Sequence, residues 1–171
     1  RMNAVQTDYL NAATALHESR ADAAERLSKA VGKQLGVLGM LGSVFTINVH
    51  RETDSIRSHG SDHVDFVVST NPGQAALPLA RVASGGELSR ISLALQVVTT
   101  GGTGIPTIIF DEVDVGIGGD VAEVVGQHMH GLGRHRQVLC VTHLPQVASQ
   151  ADAHVQVQKK TTKTRVQTRF Q

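Results

Sequence analysis

The sequence predicts an α/β fold: a mostly parallel sheet flanked by helices, with antiparallel strands and one long helix ahead of it. Three observations carry that expectation. Thr107–Phe110 is a short apolar run suited to a central strand, and it leads into Asp111, Glu112 and Asp114 and then into Gly116, Gly118 and Gly119. A helical pattern and a second apolar run at 137–141 follow, which makes a strand–helix–strand unit with parallel strands. Ahead of these lie an extended amphipathic stretch and two segments of alternating polarity.

The totals bound the reading. At 171 residues the chain is long enough for one domain and a little more. A net charge of +1 gives no strong argument for a nucleic-acid partner and leaves room for a local basic patch. The single cysteine, Cys140, excludes an intramolecular disulfide framework and fits a reducing compartment. Its neighbours Val138, Leu139 and Val141 predict a buried, inert thiol. No apolar run approaches the roughly 20 residues that span a bilayer, and no signal-peptide pattern is present. Tryptophan is absent, so the core must rest on Val, Leu, Ile and Ala. Arg1 precedes the first Met and the chain opens in mid-helix pattern, which reads as a piece of a longer protein.

In chain order, residues 3–40 are expected to form one helix. Ala24, Leu27, Val31, Leu35 and Leu38 recur at spacings of three and four, and Leu10, Ala13 and Leu16 extend the stripe backwards. Such a stripe suits a coiled coil or a helix packed on its own domain, and it covers too few heptads to decide. Gly36, Gly39 and Gly42 are expected to break the helix. Phe45, Ile47 and Val49 then alternate with polar residues as a half-buried strand. Residues 51–61 form a polar connection, Val64, Phe66 and Val68 an antiparallel partner, and Asn71-Pro72-Gly73 a turn.

A helix starts near Glu87, with Leu88, Ile91, Leu95 and Val98 on one face. Ser84 is a good cap, and Gly85 and Gly86 leave the first amides uncovered, so this start can hold a phosphate. Taken alone, Ser-Gly-Gly favours an ordinary capped helix after a loop. The 99–104 run, TTGGTG, lacks the spacing of a dinucleotide fingerprint and reads as a loop. After the strand at Thr107–Phe110, a helix is expected over 120–132 with Val121, Val124, Val125, His128 and Leu132 along one side. The strand at 137–141 ends in Thr142 and His143, which should emerge at the same sheet edge as Asp111 and Glu112. Acids there could hold a divalent metal and orient a water, or could simply be solvated. Of the nine histidines, His128, His130 and His135 lack zinc-ligand spacing. A short helix at 145–151 and a basic hairpin, 154–160 with 163–170 about Thr161-Thr162, close the chain. Lys159, Lys160, Lys163, Arg165 and Arg169 could touch phosphates or protect a sheet edge.

Three motifs in order, ASGGELSR at 83–90, TIIFDEVD at 107–114 and VTHLPQVA at 141–148, resemble the carboxyl-terminal lobe of an ABC-type ATPase head. DEVD places the resemblance in the SMC-like branch. FDEVDVGIGG followed by VTHLPQVAS is most similar to the RecN family of bacterial DNA double-strand-break repair proteins. The resemblance runs from about Leu35 to the end, with residues 1–40 as the end of a coiled-coil arm and 41–171 as the carboxyl-terminal half of the head. It implies ATP and Mg²⁺ as cofactors, with Asp111 holding the metal, Glu112 orienting the attacking water and His143 near the γ-phosphate. Ser84, Gly85, Gly86 and Glu87 match the signature that meets ATP on an opposite head, and Asp114 is grouped with the nucleotide contacts. The implied partners are the amino-terminal half of the same head, a second head and DNA, in the bacterial cytoplasm near the nucleoid and with no membrane.

Two departures stand out. The loop after Asp114 reads Val115-Gly116-Ile117-Gly118 and lacks the final aspartate usual in SMC-type heads. No GxxxxGK[ST] phosphate loop occurs, so the chain alone is expected to be inactive. It also stops ahead of a closing helix that the family is expected to carry. The other readings are a transporter nucleotide-binding domain, a non-catalytic docking fragment, and a metal nuclease built on Asp111, Glu112 and Asp114.

Overall fold

The computed structural model describes residues 2–52, 56–82, 84–99, 105–161 and 166–170, with side chains from residue 4 to residue 158. Helix α1 spans Met2–Val37, as the apolar stripe requires. Ala24, Val31, Leu35 and Leu38 are buried, whereas Leu10 and Leu16 are exposed and only Ala13 continues the stripe inward. The helix runs through Gly36 and stops at Gly39 in a Schellman cap. Met40 N–H donates to Leu35 O (2.9 Å) and Gly39 N–H to Gly36 O (3.3 Å), with Gly39 at φ 79°. A side chain at Gly39 would also strike Val121.

Strands β1 (Val44–Arg51) and β2 (Asp62–Ser69) pair antiparallel, with Phe45 opposite Val68 and Ile47 opposite Phe66. A two-residue strand β3 (Leu77–Pro78), which periodicity is too short to reveal, pairs with β2 and leads into a 3₁₀ turn, Leu79–Arg81. β1 lies on α1, and Ser28 Oγ accepts the Ile47 N–H (3.0 Å). The far part of α1 is held by polar groups. Asp62, its side chain buried, accepts from Arg20 (3.0 Å) and lies 2.8 Å from His17 Nδ1. Arg20 also donates to His59 O (2.8 Å), and Tyr9 Oη accepts the Arg57 N–H (3.1 Å). The 51–61 connection is thus a clasp on α1, of which residues 53–55 lie outside the described residues.

Helix α2 (Gly85–Val98), strand β4 (Thr107–Phe110), helix α3 (Gly119–Gly133), strand β5 (Gln137–Cys140) and the one-turn helix α4 (Pro145–Ala148) form the second layer. β4 and β5 are parallel, Phe110 facing Cys140 in register. Val31 and Leu35 of α1 and Leu38 just after it join Ile91, Leu93, Phe110, Val125 and Leu132 in one core. Each fully buried Leu or Ile there contributes about 1.5–3 kcal/mol of transfer free energy. Strands β6 (Val157–Thr161) and β7 (Val166–Phe170) pair antiparallel. Thr162, where a turn is expected, the basic side chains of this hairpin and residues 100–104, expected as a loop, lie outside the described residues.

Three expectations need correction. On α2, Leu88 is exposed, and Gly86 and Arg90 take buried positions because the helix start packs on the turn after β4. On α3 the buried face is Ala122, Val125, Gly126, Met129 and Leu132, leaving His128 half-buried. Gly126 explains that rotation, since a Cβ there would meet Gln150 and Val147: its bare backbone is where α4 docks. β4 is not enclosed on both faces, for Ile109 is 66% exposed and Leu139 opposite it 46%.

Candidate active site

A parallel pair in register delivers both strand ends to one edge. Asp111 and Glu112 leave β4 there, and Thr142 and His143 leave β5, with Val141 N–H still bonded to Phe110 O (3.0 Å). The start of α2 completes the edge. Ser89 Oγ donates to Asp111 O (2.5 Å), and buried Arg90 donates to Val115 O (2.7 Å). Gly86 packs closely on this turn, because a Cβ there would lie 3.2 Å from Glu112 O and 3.3 Å from Val115 O, closer than ordinary van der Waals contact. Hydrophobic periodicity does not reveal Ser89 and Arg90. The available signal is an arginine beside Ile91 on the apolar side of α2, since a cation in that position needs buried acceptors.

Ser84 caps α2 with extended backbone, its Oγ accepting the Glu87 N–H (3.4 Å). Asp111 and Glu112 are exposed, and Asp111 Oδ1 accepts the Glu112 N–H (2.9 Å). Glu112 sits at φ 57°, the left-handed region that costs a non-glycine residue about 1–3 kcal/mol. Its carboxylate lies against Gly85, in the space a side chain there would fill. Strain of this kind persists only where the surroundings enforce it, here the α2 start and the Asp111 side chain.

Asp114 lies apart from the other two acids. It is 2% exposed, and its Oδ2 accepts from Thr142 Oγ1 (2.5 Å) and His143 N–H (3.1 Å), with His143 Nδ1 at 3.4 Å. Burial works to raise its pKa, yet these donors together hold it below the ordinary carboxyl value. Among the described residues no three His, Cys, Asp or Glu side chains cluster as a metal site. An exposed carboxylate such as Asp111 at a strand end does suit Mg²⁺, which is commonly held by one or two acids plus substrate phosphates. Cys140, just behind, has its pKa pushed up to about 11, first by burial and then by Asp114 and Asp111, so the thiol stays protonated.

No family model matches the chain. It is 46% identical over 158 residues to the DNA repair protein RecN of Haemophilus influenzae, and 48% over 153 residues to that of Vibrio cholerae. It is 44% identical over 160 residues to RecN of Xylella fastidiosa, which covers 93% of this chain. The chain spans 28–29% of the length of these curated relatives. Among solved structures, the Smc head domain of Pyrococcus furiosus with an extended coiled coil covers 90% of the chain and 36% of its own, at TM-score 0.56 and 15% identity. A chain described for the ATP-driven dimerization and DNA-stimulated activation of SMC ATPases covers 91% of the chain and 89% of its own, at TM-score 0.50 and 13% identity. At such identities these two structures bear on the fold alone, and the fold is that of an SMC-type head. With identity above 40% along nine tenths of its length, this chain belongs to the RecN family, as a segment matching under a third of each relative.

Proposed function

We propose that the chain supplies the metal-and-water side of an ATP-hydrolysing site in an SMC-like protein for recombinational repair of DNA double-strand breaks. The observation that carries this reading is the convergence of Asp111, Glu112, His143 and the Ser84-capped start of α2 at one sheet edge. Asp111 is assigned the hard oxygen ligand for Mg²⁺, which when bound offsets charge on the phosphoryl oxygens. Glu112, exposed and without a cationic partner among the described residues, orients the attacking water and takes its proton. His143 faces the γ-phosphate. Ser84, Gly85, Gly86 and Glu87 form the surface that meets ATP on a second head, which fits free amides and the positive end of a helix dipole.

Two further assignments rest on the same reading. Residues 1–40 are the root of a helical arm and residues 41–171 the head portion. The exposed apolar face of β4 and β5, at Ile109, Leu139 and Val141, is covered by an amino-terminal half that carries the phosphate loop. A parallel sheet is ordinarily covered on both faces, and a bare strand pair calls for such a neighbour. The relatives' description as DNA repair proteins supports DNA as the larger partner and the bacterial cytoplasm, near the nucleoid, as the location.

The test joins the chain to the phosphate-loop half of a relative and follows phosphate release. Slow, DNA-responsive hydrolysis is expected. Glu112→Gln should lower kcat by about 10²- to 10⁴-fold and leave an ATP-bound dimer on size exclusion. Unchanged hydrolysis in that variant would remove Glu112 from the role of base. Mg²⁺-dependent DNA cleavage by the chain without nucleotide would replace the ATPase reading by a nuclease.

A further inference from the structure

We infer that Asp114 is a positioning residue, which fixes His143 with Nδ1 turned inward and Nε2 presented to the reacting edge. The consequence for hydrolysis rests on the ATPase reading above, whereas the orientation of His143 does not.

The geometry is specific. A carboxylate only 2% exposed is costly unless its oxygens are satisfied, and every side-chain or backbone donor that Oδ2 finds beyond its own turn comes from the segment after β5. Thr142 Oγ1, while donating to Asp114, also accepts the Leu144 N–H (3.1 Å), so residues 142–144 are held as a unit. That segment cannot leave without stranding a buried charge. His143, meanwhile, has a side chain 71% exposed, and only its Nδ1 approaches Asp114, at 3.4 Å, an electrostatic contact rather than one of the aligned hydrogen bonds that Oδ2 accepts from Thr142 Oγ1 and the His143 N–H. An ionised carboxylate accepts and does not donate, so the ring proton is favoured on Nδ1. Nε2 is then the bare, outward nitrogen. This is the reverse of the Nε2–H form that histidine favours in water, and it is the orienting role that a buried acid plays toward an imidazole elsewhere. The turn from Asp111 to Asp114 therefore ties the end of β4 to the end of β5 through one side chain.

Nitrogen-15 NMR of the histidine rings tests this on the 171-residue chain, above the pH at which imidazole is neutral, with His143 assigned by loss of its signals in His143→Gln. The expected result is an Nδ1–H tautomer at His143 in the wild type and a shift toward Nε2–H in folded Asp114→Ala. An Nε2–H ring in the wild type, or an unchanged Nδ1–H ring in folded Asp114→Ala, would overturn the inference. Should Asp114→Ala fail to fold, the wild-type tautomer alone decides. In the hydrolysing assembly, Asp114→Asn should lower kcat roughly tenfold or more with KM for ATP within about twofold. A rise in KM with kcat unchanged would make Asp114 a nucleotide contact instead. Absence of hydrolysis by the wild-type assembly would sink the ATPase reading and leave the tautomer result to stand or fall by itself.

Discussion

Gly85 and Gly86 are neighbours in sequence with opposite tolerance for a side chain. A methyl group at Gly85 would meet only the carboxylate of Glu112, the far end of a flexible side chain that can swing aside. One at Gly86 would meet backbone at Glu112 and Val115 at 3.2–3.3 Å, which cannot yield without moving the turn. Gly85→Ala should therefore change folding free energy by less than about 1 kcal/mol while displacing Glu112, and Gly86→Ala should cost roughly 1–3 kcal/mol as overpacking. Urea melts of the two variants check this, and equal losses would mean that the turn after β4 is softer than its contacts indicate. Both glycines are legible in the sequence as a helix start suited to a phosphate. Their difference is not, because it depends on which atoms of a turn 26 or more residues away lie opposite.

Among the elements, α1 is held in two chemically distinct ways. Its carboxyl-terminal half is anchored by Val31 and Leu35 in the core, with Leu38 just beyond its end, and its far part by the bonds of Asp62 with His17 and Arg20. Burial tends to raise the Asp62 pKa, and the bonds from His17 and Arg20 outweigh it, so the folded value lies below the unfolded one. A depressed carboxyl contributes stability above its unfolded pKa, about 4, and loses that contribution as pH falls through the folded value. The stability gap between wild type and Asp62→Asn should thus be widest near neutral pH and close below about pH 4. A gap independent of pH would remove the ion pairs from the explanation. The clasp escaped periodicity because its residues are polar and scattered over 9–62, and polar residues in a connection ordinarily read as solvated.

On the scale of the whole molecule, the parallel strand pair is left open on one face. The β1–β2 sheet rests on α1, and α2 and α3 share its core, while Ile109 and Leu139 expose an apolar face of the parallel pair. If an amino-terminal half covers that face, Ile109→Lys and Leu139→Lys should each shift the stability of this chain by no more than about 0.5 kcal/mol, as exposed positions do. The same substitutions should weaken association with the phosphate-loop half by roughly tenfold or more, through a buried unpaired charge. Titration calorimetry reads the association directly. A large loss of stability in the isolated chain would show that the face is already covered, and undiminished association would place the partner elsewhere.

The residue pattern by itself determined the α/β class, the long helix, the strand–helix–strand unit and the edge at which Asp111, Glu112, Thr142 and His143 emerge. Local periodicity and the handedness of parallel connections are enough for that, since both act within about 35 residues of chain. Tertiary structure decided how each acid is placed. Three carboxylates within four residues look equivalent in sequence, but the turn buries Asp114 against Thr142 and His143 and leaves Asp111 and Glu112 facing solvent. It also decided that Glu112 is held at positive φ over Gly85, and that Gly126 rather than His128 meets the short helix after β5. Such distinctions rest on close packing between segments distant in sequence, which no local pattern encodes.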